Sequence, residues 1–274
     1  MRRLLLLSAV LLTACATPQN NYDPLENVNR SVYKFNTALD DAVVRPVAVA
    51  YSDYIPSPLR TAVGNFMGNI DDLFAIPASI LQAKGTSASK STARVLLNST
   101  FGLAGLLDIA SEVPIEKQDE DFGQMLGAWG VPSGPYLMVP FYGPLTVRDS
   151  SDKLARLVWG PIDYIDPLAG KVAYYSVFIT DTRASLLPFD ATIAEQIDPY
   201  AFVRDTYLQR RWFKIHDGNP PHPLPLGEPD SELVDEADKN AAAETAEPVS
   251  QTVNEVVSSA EQAATSPENT EQSQ

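Results

Sequence analysis

In 274 residues the chain has one cysteine, Cys15, and two histidines, His216 and His222. A single thiol excludes an internal disulfide and a multi-cysteine metal site. Both histidines fall in a proline-rich stretch, where an imidazole has no rigid frame to orient it. A Ser-His-Asp relay and a histidine zinc site therefore each lack a part. Positive charge is scarce too: 20 Lys and Arg face 35 Asp and Glu, for a net charge of −15. Nucleic-acid binding needs clustered cations against phosphate, and no such cluster is present. No G-x-S-x-G elbow, P-loop or dinucleotide fingerprint appears. Asp71 and Asp72 are adjacent, so on a helix they project about 100° apart, which suits a solvated face better than a shared substrate. No cofactor or metal is expected, and a lipid hydrolase working with carboxylates alone is the one enzyme reading left open.

The amino end carries a pattern of its own. Arg2 and Arg3 precede an apolar run from Leu4 to Leu12, broken only by Ser8 and Ala9. That run falls short of the roughly 20 residues needed to span a bilayer and fits the core of a cleaved secretory signal. Leu12-Thr13-Ala14-Cys15 resembles a lipobox, so residues 1–14 read as signal and 15–21 as a linker lipidated at Cys15. Several acyl chains give stable anchoring. Because Ala16 rather than Asp follows the cysteine, the sorting rules of this class imply the outer membrane, on its periplasmic side.

The carboxyl end is different. From Glu228 to Gln274 there are 12 acidic residues and one basic one, Lys239, and no aromatic follows Phe213. Low hydrophobicity with high net charge predicts a disordered tail, reached through Pro220, Pro221, Pro223 and Pro225. Residues 214–274 thus read as a proline-rich exit and an acidic tail, either merely solvated or attractive to a basic partner.

Residues 22–213 remain for one folded domain, and their apolar spacing is helical. Val28, Val32, Phe35 and Leu39 form a stripe after Asp23-Pro24. Ser57 reads as an N-cap with Pro58 behind it, followed by Leu59, Val63, Phe66, Ile70 and Leu73 up to Pro77. Thr86 or Ser87 starts a further helix into Val95–Leu97. Asp198-Pro199 opens another, with Phe202, Val203 and Tyr207 on one face and Arg210, Arg211 and Lys214 near its carboxyl end.

Residues 122–147 contain 26 consecutive positions without a charge. The segment is long enough to cross hydrocarbon, yet its glycines and prolines forbid a continuous helix. The expectation is a helix followed by a hairpin or re-entrant loop, sheltered by neighbouring helices, because irregular backbone survives at membrane depth only when covered. A buried loop of an ordinary soluble domain has the same composition. The 13 uncharged residues from Val95 to Leu107, and the aromatics Trp159, Tyr164, Tyr174, Tyr175 and Phe178, fit short helices lying in one leaflet.

These residues also carry a family likeness. Asp23-Pro24-Leu25-Glu26, Asn29-Arg30, Phe35-Asn36, Arg45-Pro46-Val47-Ala48, Asn65-Phe66, Gly68-Asn69, Gly102 and Gly105–Ala110 appear in order. Phe122-Gly123-Gln124, Leu126-Gly127, Gly130-Val131, Gly134-Pro135-Tyr136, Pro140, Gly143-Pro144, Arg148-Asp149, Asp198-Pro199-Tyr200, Arg204, Tyr207 and Gln209-Arg210 follow. The set resembles the MlaA (VacJ) family of outer-membrane lipoproteins. The resemblance implies an all-α, ring-like bundle of amphipathic and re-entrant helices embedded in one leaflet. It implies an amphipathic passage for phospholipids that maintains lipid asymmetry, with a trimeric porin and a soluble periplasmic lipid-binding shuttle as partners. On that reading Gly123, Gly127, Trp129, Gly130, Pro132, Gly134, Pro135, Tyr136, Pro140 and Gly143 line or gate the passage. Asn29, Phe35 and Asn36 support the ring or touch the leaflet, or simply pack. A lipoprotein that only scaffolds porins is the competing reading.

Overall fold

The computed structural model describes residues 16–160 and 168–226. The signal segment, Cys15, Tyr164 and the acidic tail from residue 227 lie outside the described residues. Helix α1 (Glu26–Leu39) runs through a π-helical turn (Asp40–Val44) into α2 (Arg45–Tyr54). Helices α3 (Ser57–Leu81) and α4 (Gly85–Thr100) form a long antiparallel pair, and α5 (Phe122–Ala128) follows. Strands β1 (Tyr136–Val139) and β2 (Gly143–Thr146) then make a hairpin. Helices α6 (Ser150–Trp159), α7 (Leu168–Leu186), α8 (Asp190–Ala194) and α9 (Pro199–Ile215) complete the chain. The fold is mostly helical, and the hairpin is its departure from an all-α architecture. It occupies the uncharged stretch where a helix followed by a hairpin or re-entrant loop was expected, and the backbone groups that the prolines and glycines there keep out of a helix pair between the strands.

Several local expectations shift in instructive ways. Helix α3 does not stop at Pro77 but continues four residues to Leu81. Phe74, Ala75, Ala78 and Ser79 are buried on both sides of the proline, so tertiary packing holds the helix across its missing donor. The stripe on α1 faces outward at Val28 and Phe35, and the residue that α1 buries is Asn29. The side of α1 turned inward meets a strand edge, which asks for hydrogen-bonding groups rather than apolar cover. Helix α9 opens as the sequence predicts, with the Asp198 carboxylate accepting from the Ala201 N–H at 3.1 Å. Its buried side is Tyr200, Arg204 and Leu208, flanked by Val203 and Tyr207.

The interior is polar to an unusual degree. Small residues let α3 and α4 approach closely: Ala75, Ala78 and Ser79 on one helix, Ala88 and Ser91 on the other. Asp72, expected on a solvated face, is instead 1% exposed and accepts from Arg94 Nε at 2.9 Å. A matched cation on the facing helix makes that burial tolerable. Arg94 also grips Asp108 through Nη2 at 3.0 and 2.8 Å, and Asn98 donates to the same carboxylate at 2.9 Å. Asp71 points elsewhere and accepts from Arg156 at 2.7 Å, so the two aspartates do diverge.

Large apolar side chains, by contrast, crowd the surface. Helix α7 buries no residue, and Leu168, Val172, Tyr175, Val177, Phe178 and Ile179 along it are exposed. Leu154, Leu157, Val158 and Trp159 of α6 are exposed as well, as are Phe101, Leu103, Leu106 and Leu107 in the turn after α4. What ties α7 to the rest is polar: Arg183 grips Asp40 and Asp190, and the Tyr51 hydroxyl donates to Asp181 at 2.9 Å. No helix among the described residues is long and apolar enough to cross a membrane.

Candidate functional site

The hairpin is held by α1 through two asparagines. A carboxamide carries both a donor and an acceptor, the pair a strand edge presents. Asn29 Nδ2 donates to the Tyr136 carbonyl at 3.1 Å and its Oδ1 accepts from the Met138 N–H at 2.9 Å. Asn36 repeats the contact further out, donating to the Val139 carbonyl and accepting from the Phe141 N–H, both at 3.0 Å. Seven helical residues advance about 10 Å, and three extended residues cover about the same distance, so the two asparagines keep step with the strand. Between them they cover the edge of β1 that β2 leaves open. At the tip, Phe35 and Phe141 meet edge to face with ring centroids 5.3 Å apart, and Phe141 is 74% exposed. Asn29, Phe35 and Asn36, expected from sequence to support the ring, touch the leaflet or simply pack, thus meet Tyr136, Met138, Val139 and Phe141 of the hairpin.

The hairpin's base is buried and fastened by α9. Tyr136 is fully buried between Tyr200 and Tyr207, with centroid distances of 6.3 and 6.0 Å, and burial pushes its hydroxyl far above the usual range. Its N–H donates to the Tyr22 carbonyl at 2.7 Å. Asp23 accepts from Asn29 at 2.7 Å and from the Tyr200 hydroxyl, with Arg204 close by. At the other end, Tyr207 and Arg211 reach Asp149 just past β2, at 2.9 and 2.8 Å. Arg211 also bonds Asp121, whose carboxylate caps α5 by accepting from the Gln124 N–H at 2.8 Å. Burial raises the Asp121 carboxyl, but Arg211 and Gln124 more than offset this and hold it well below the ordinary carboxylate range.

The glycines and prolines divide between packing and exposure. Gly123 and Gly127 are close-approach positions: a Cβ at Gly123 would lie 2.5 Å from Asp149 Oδ1, and one at Gly127 2.9 Å from Ile215. Gly134, Pro135 and Tyr136 are buried, so the inner half of the segment is core rather than lining. Trp129, Gly130, Pro132 and Pro140 are exposed. Trp129 donates to the Leu81 carbonyl at 3.1 Å, satisfying the carboxyl end of α3. Gly143, with φ 106°, and Pro140 shape the hairpin turn as expected from sequence. The exposed tip residues Phe141 and Tyr142 were not singled out by sequence reasoning. Phe141, at φ 63°, is a strained non-glycine position that composition does not reveal.

Elsewhere, a cleft of about 620 Å³ opens between the α3–α4 turn, residues 117–120 and the end of α9. Ion pairs cross it, Lys84 to Glu120 and Lys214 to Asp119, which makes it a poor home for acyl chains. The two histidines are better held than their proline-rich setting implies. His222 stacks on Trp212 at 5.6 Å and His216 meets it tilted at 4.1 Å, and Trp212 Nε1 donates to the His222 carbonyl at 2.7 Å.

The MlaA lipoprotein family model matches residues 21–214, the whole helical region together with the hairpin and its fastenings. The chain belongs to the MlaA lipoprotein family. The intermembrane phospholipid transport system lipoprotein MlaA of Escherichia coli is 35% identical over 223 residues, spanning 78% of this chain and 88% of that protein. The protein of the same name from Haemophilus influenzae is 30% identical, spanning 78% and 89%. A solved structure concerned with the maintenance of bacterial outer membrane lipid asymmetry superposes with a TM-score of 0.64 at 34% identity. It covers 70% of this chain and 98% of that one. The MlaA match stops at residue 214, short of the proline-rich exit and the acidic tail.

Proposed function

We propose that this chain is an outer-membrane lipoprotein that gives phospholipids an amphipathic passage between the outer membrane and a soluble periplasmic carrier. Lipid asymmetry is maintained by that traffic, and no covalent bond is made or broken. The observation that carries the reading is the inverted distribution of polarity. Large apolar side chains of helix α7 lie at the surface, while Arg183 binds Asp40 of the π-helical turn and Asp181 accepts from Tyr51 of α2. Full burial of a large apolar side chain is worth about 1.5–3 kcal/mol, so six on one helix approach the stability of a whole domain. Hydrocarbon of a single leaflet is the cover that fits, since no described helix can span both. The helices then form a ring whose polar inner wall lowers the cost of moving a charged headgroup past acyl chains.

Cys15 supplies the acyl anchor on the periplasmic side, and a Cys15→Ala protein is expected to fractionate with soluble periplasmic proteins. A trimeric porin faces the apolar rim, and the shuttle receives lipid from the aqueous side. The hairpin tip at Pro140–Gly143, clasped to Phe35 and Asn36, gates the passage. Lipid transfer from proteoliposomes, with Phe35 and Phe141 both replaced by cysteine, tests this. Transfer should fall when the pair is cross-linked and return on cleavage of the link. Equal transfer in both states removes the gate, whereas absence of transfer by the unaltered protein favours porin scaffolding. Release of lysophospholipid or fatty acid favours hydrolysis.

A further inference from the structure

Past Ile215 the chain turns and comes back along α9. Gly218, at φ 81°, makes the reversal, its N–H donating to the Phe213 carbonyl at 3.0 Å. Four of residues 220–226 are proline, which keeps the returning segment extended and removes most of its backbone donors. The polar groups that remain are met by two side chains of α9. Trp212 Nε1 donates to the His222 carbonyl at 2.7 Å. The Gln209 carboxamide donates to the Leu224 carbonyl at 2.9 Å and accepts from the Leu224 N–H at 3.0 Å. Gln209 and Trp212 are three residues apart on one helix face, about 4.5 Å of rise, and His222 and Leu224 are two apart on an extended chain, about 6 Å. The two orders are opposite, so the segment lies antiparallel to α9. Gln209 thus holds Leu224 as Asn29 holds β1, one carboxamide filling a donor and an acceptor of one extended backbone.

The side chains of the segment alternate. Leu224 and Leu226 are half-buried and pack against the cluster of Tyr136, Met138, Tyr200 and Leu208, whereas His222, Pro223 and Pro225 are exposed. Tyr136 and Met138 are the base of the hairpin. Asn29 therefore holds the edge of β1 while Leu224 and Leu226 cover the cluster to which its inward side chains belong. An extended proline-rich segment on an aromatic-lined surface is a recurring mode of peptide recognition, since a chain already stiff loses little entropy on docking. The attachment is also shallow: two leucines, one carboxamide and one indole hold it, and its other face is in solvent. All of it lies past residue 214, where the family match ends.

We propose that residues 222–226 are a detachable strap that restrains the hairpin, with Gln209, Leu224 and Leu226 as positioning residues for the gate. The proposal rests on the gate reading of the hairpin and names what sets its freedom. With the strap docked, the hairpin base is held at its edge by α1 and roofed at its apolar cluster by the two leucines. With the strap released, that cluster loses its cover and the base keeps the Asn29 contact and the packing of α9 alone. The strap can detach without unfolding α9, because its contacts are side chains of α9 reaching outward and none belongs to the helix's own backbone ladder.

The test uses the full-length lipidated protein in vesicles and reads amide exchange by mass spectrometry beside lipid transfer to acceptor vesicles. Two variants loosen the strap from opposite sides: Gln209→Ala on α9, and Leu224→Ser with Leu226→Ser on the strap. Each should quicken exchange in residues 136–141 about tenfold, the scale of one or two lost hydrogen bonds, and leave residues 91–98 of α4 unchanged. Each should also raise the rate of lipid transfer. Leu224→Met with Leu226→Met keeps the apolar cover and should behave as the unaltered protein. Unchanged exchange in 136–141 overturns the strap. Equal quickening in 91–98 marks the segment as a general stabiliser and also overturns it. Faster exchange with unchanged transfer removes its hold on the gate and overturns it as well. Absence of transfer by the unaltered protein overturns the passage reading instead, and the exchange comparison then decides the strap by itself.

Discussion

The Asn36 carboxamide accepts a hydrogen bond from the Phe141 N–H at 3.0 Å, at the hairpin-tip residue whose φ is 63°. Asn29 makes the same kind of contact two turns earlier, but there the strand is buried. The two asparagines should therefore respond differently to truncation. Asn29→Ala leaves the Met138 N–H and the Tyr136 carbonyl without their partner in a dry setting, at a cost of about 1–3 kcal/mol for each group left unsatisfied. Asn36→Ala exposes its partners to solvent and should cost little. Thermal unfolding separates the two, and amide exchange at Phe141 should quicken in Asn36→Ala alone.

Asp72 and Arg94 make a sharper case. Arg94 is 4% exposed and divides its guanidinium between Asp72 and Asp108. Removing one partner of a buried pair costs about 3–5 kcal/mol, because the surviving charge stays buried. Because Arg94 keeps Asp108, Asp72→Ala should fall short of that scale yet cost more than Asp71→Ala, which, at an exposed pair with Arg156, should change stability by less than about 1 kcal/mol. Denaturant melts of the two variants, side by side, give the comparison.

Acid should loosen the hairpin's fastening. Burial raises the Asp121 carboxyl, and Arg211 with the Gln124 N–H lowers it further than burial raises it, so its folded value lies below the unfolded one. A depressed folded value means the contribution is complete above the unfolded carboxylate pKa, near 3.9, and is lost as pH falls toward the folded value. Arg211→Gln leaves burial unopposed by charge, so its acid transition should begin at higher pH than that of the unaltered protein. Circular dichroism during acid titration detects the shift, and coincident transitions would contradict the assignment.

Glycines that look alike in the sequence should behave unlike one another. Gly123→Ala places a Cβ against Asp149 and Arg211 at 2.5–2.9 Å and should cost about 1–3 kcal/mol of overpacking. Gly130→Ala meets nothing within 4 Å and carries only the cost of φ 84°, about 1 kcal/mol. Melting temperatures rank the pair.

The contrast shows how far sequence reasoning reached. The helical stretches, the Asp198 cap and a helix followed by a hairpin or re-entrant loop in residues 122–147 were legible because spacing, capping residues and proline act locally, whereas Ser57, expected as a cap, is the first residue of α3 and the cap position falls on Pro56. The burial of Asp72 was not, since it depends on an arginine 22 positions away on the facing helix. Continuation of α3 through Pro77 was hidden for the same reason. For the candidate site, Asn29, Phe35 and Asn36 were named without the hairpin residues they touch, and the division of that segment into a buried base and an exposed tip was not legible. Gly123, Gly134 and Gly130 share a composition and differ only in what surrounds them. The charged residues in the family motif, among them Asp23, Asp149 and Arg204, turn out to be the fastenings of the hairpin.

The most direct test of the account is the depth of α7 in a bilayer. With the protein in proteoliposomes, nitroxides at Val172 and Ile179, exposed and on one side of the helix, are compared with one at half-buried Tyr174 on another side. The account predicts that collisions with oxygen dominate at 172 and 179, and collisions with a water-soluble nickel chelate at 174. Equal chelate access at all three positions would place α7 in bulk water and contradict a ring that shelters a lipid passage.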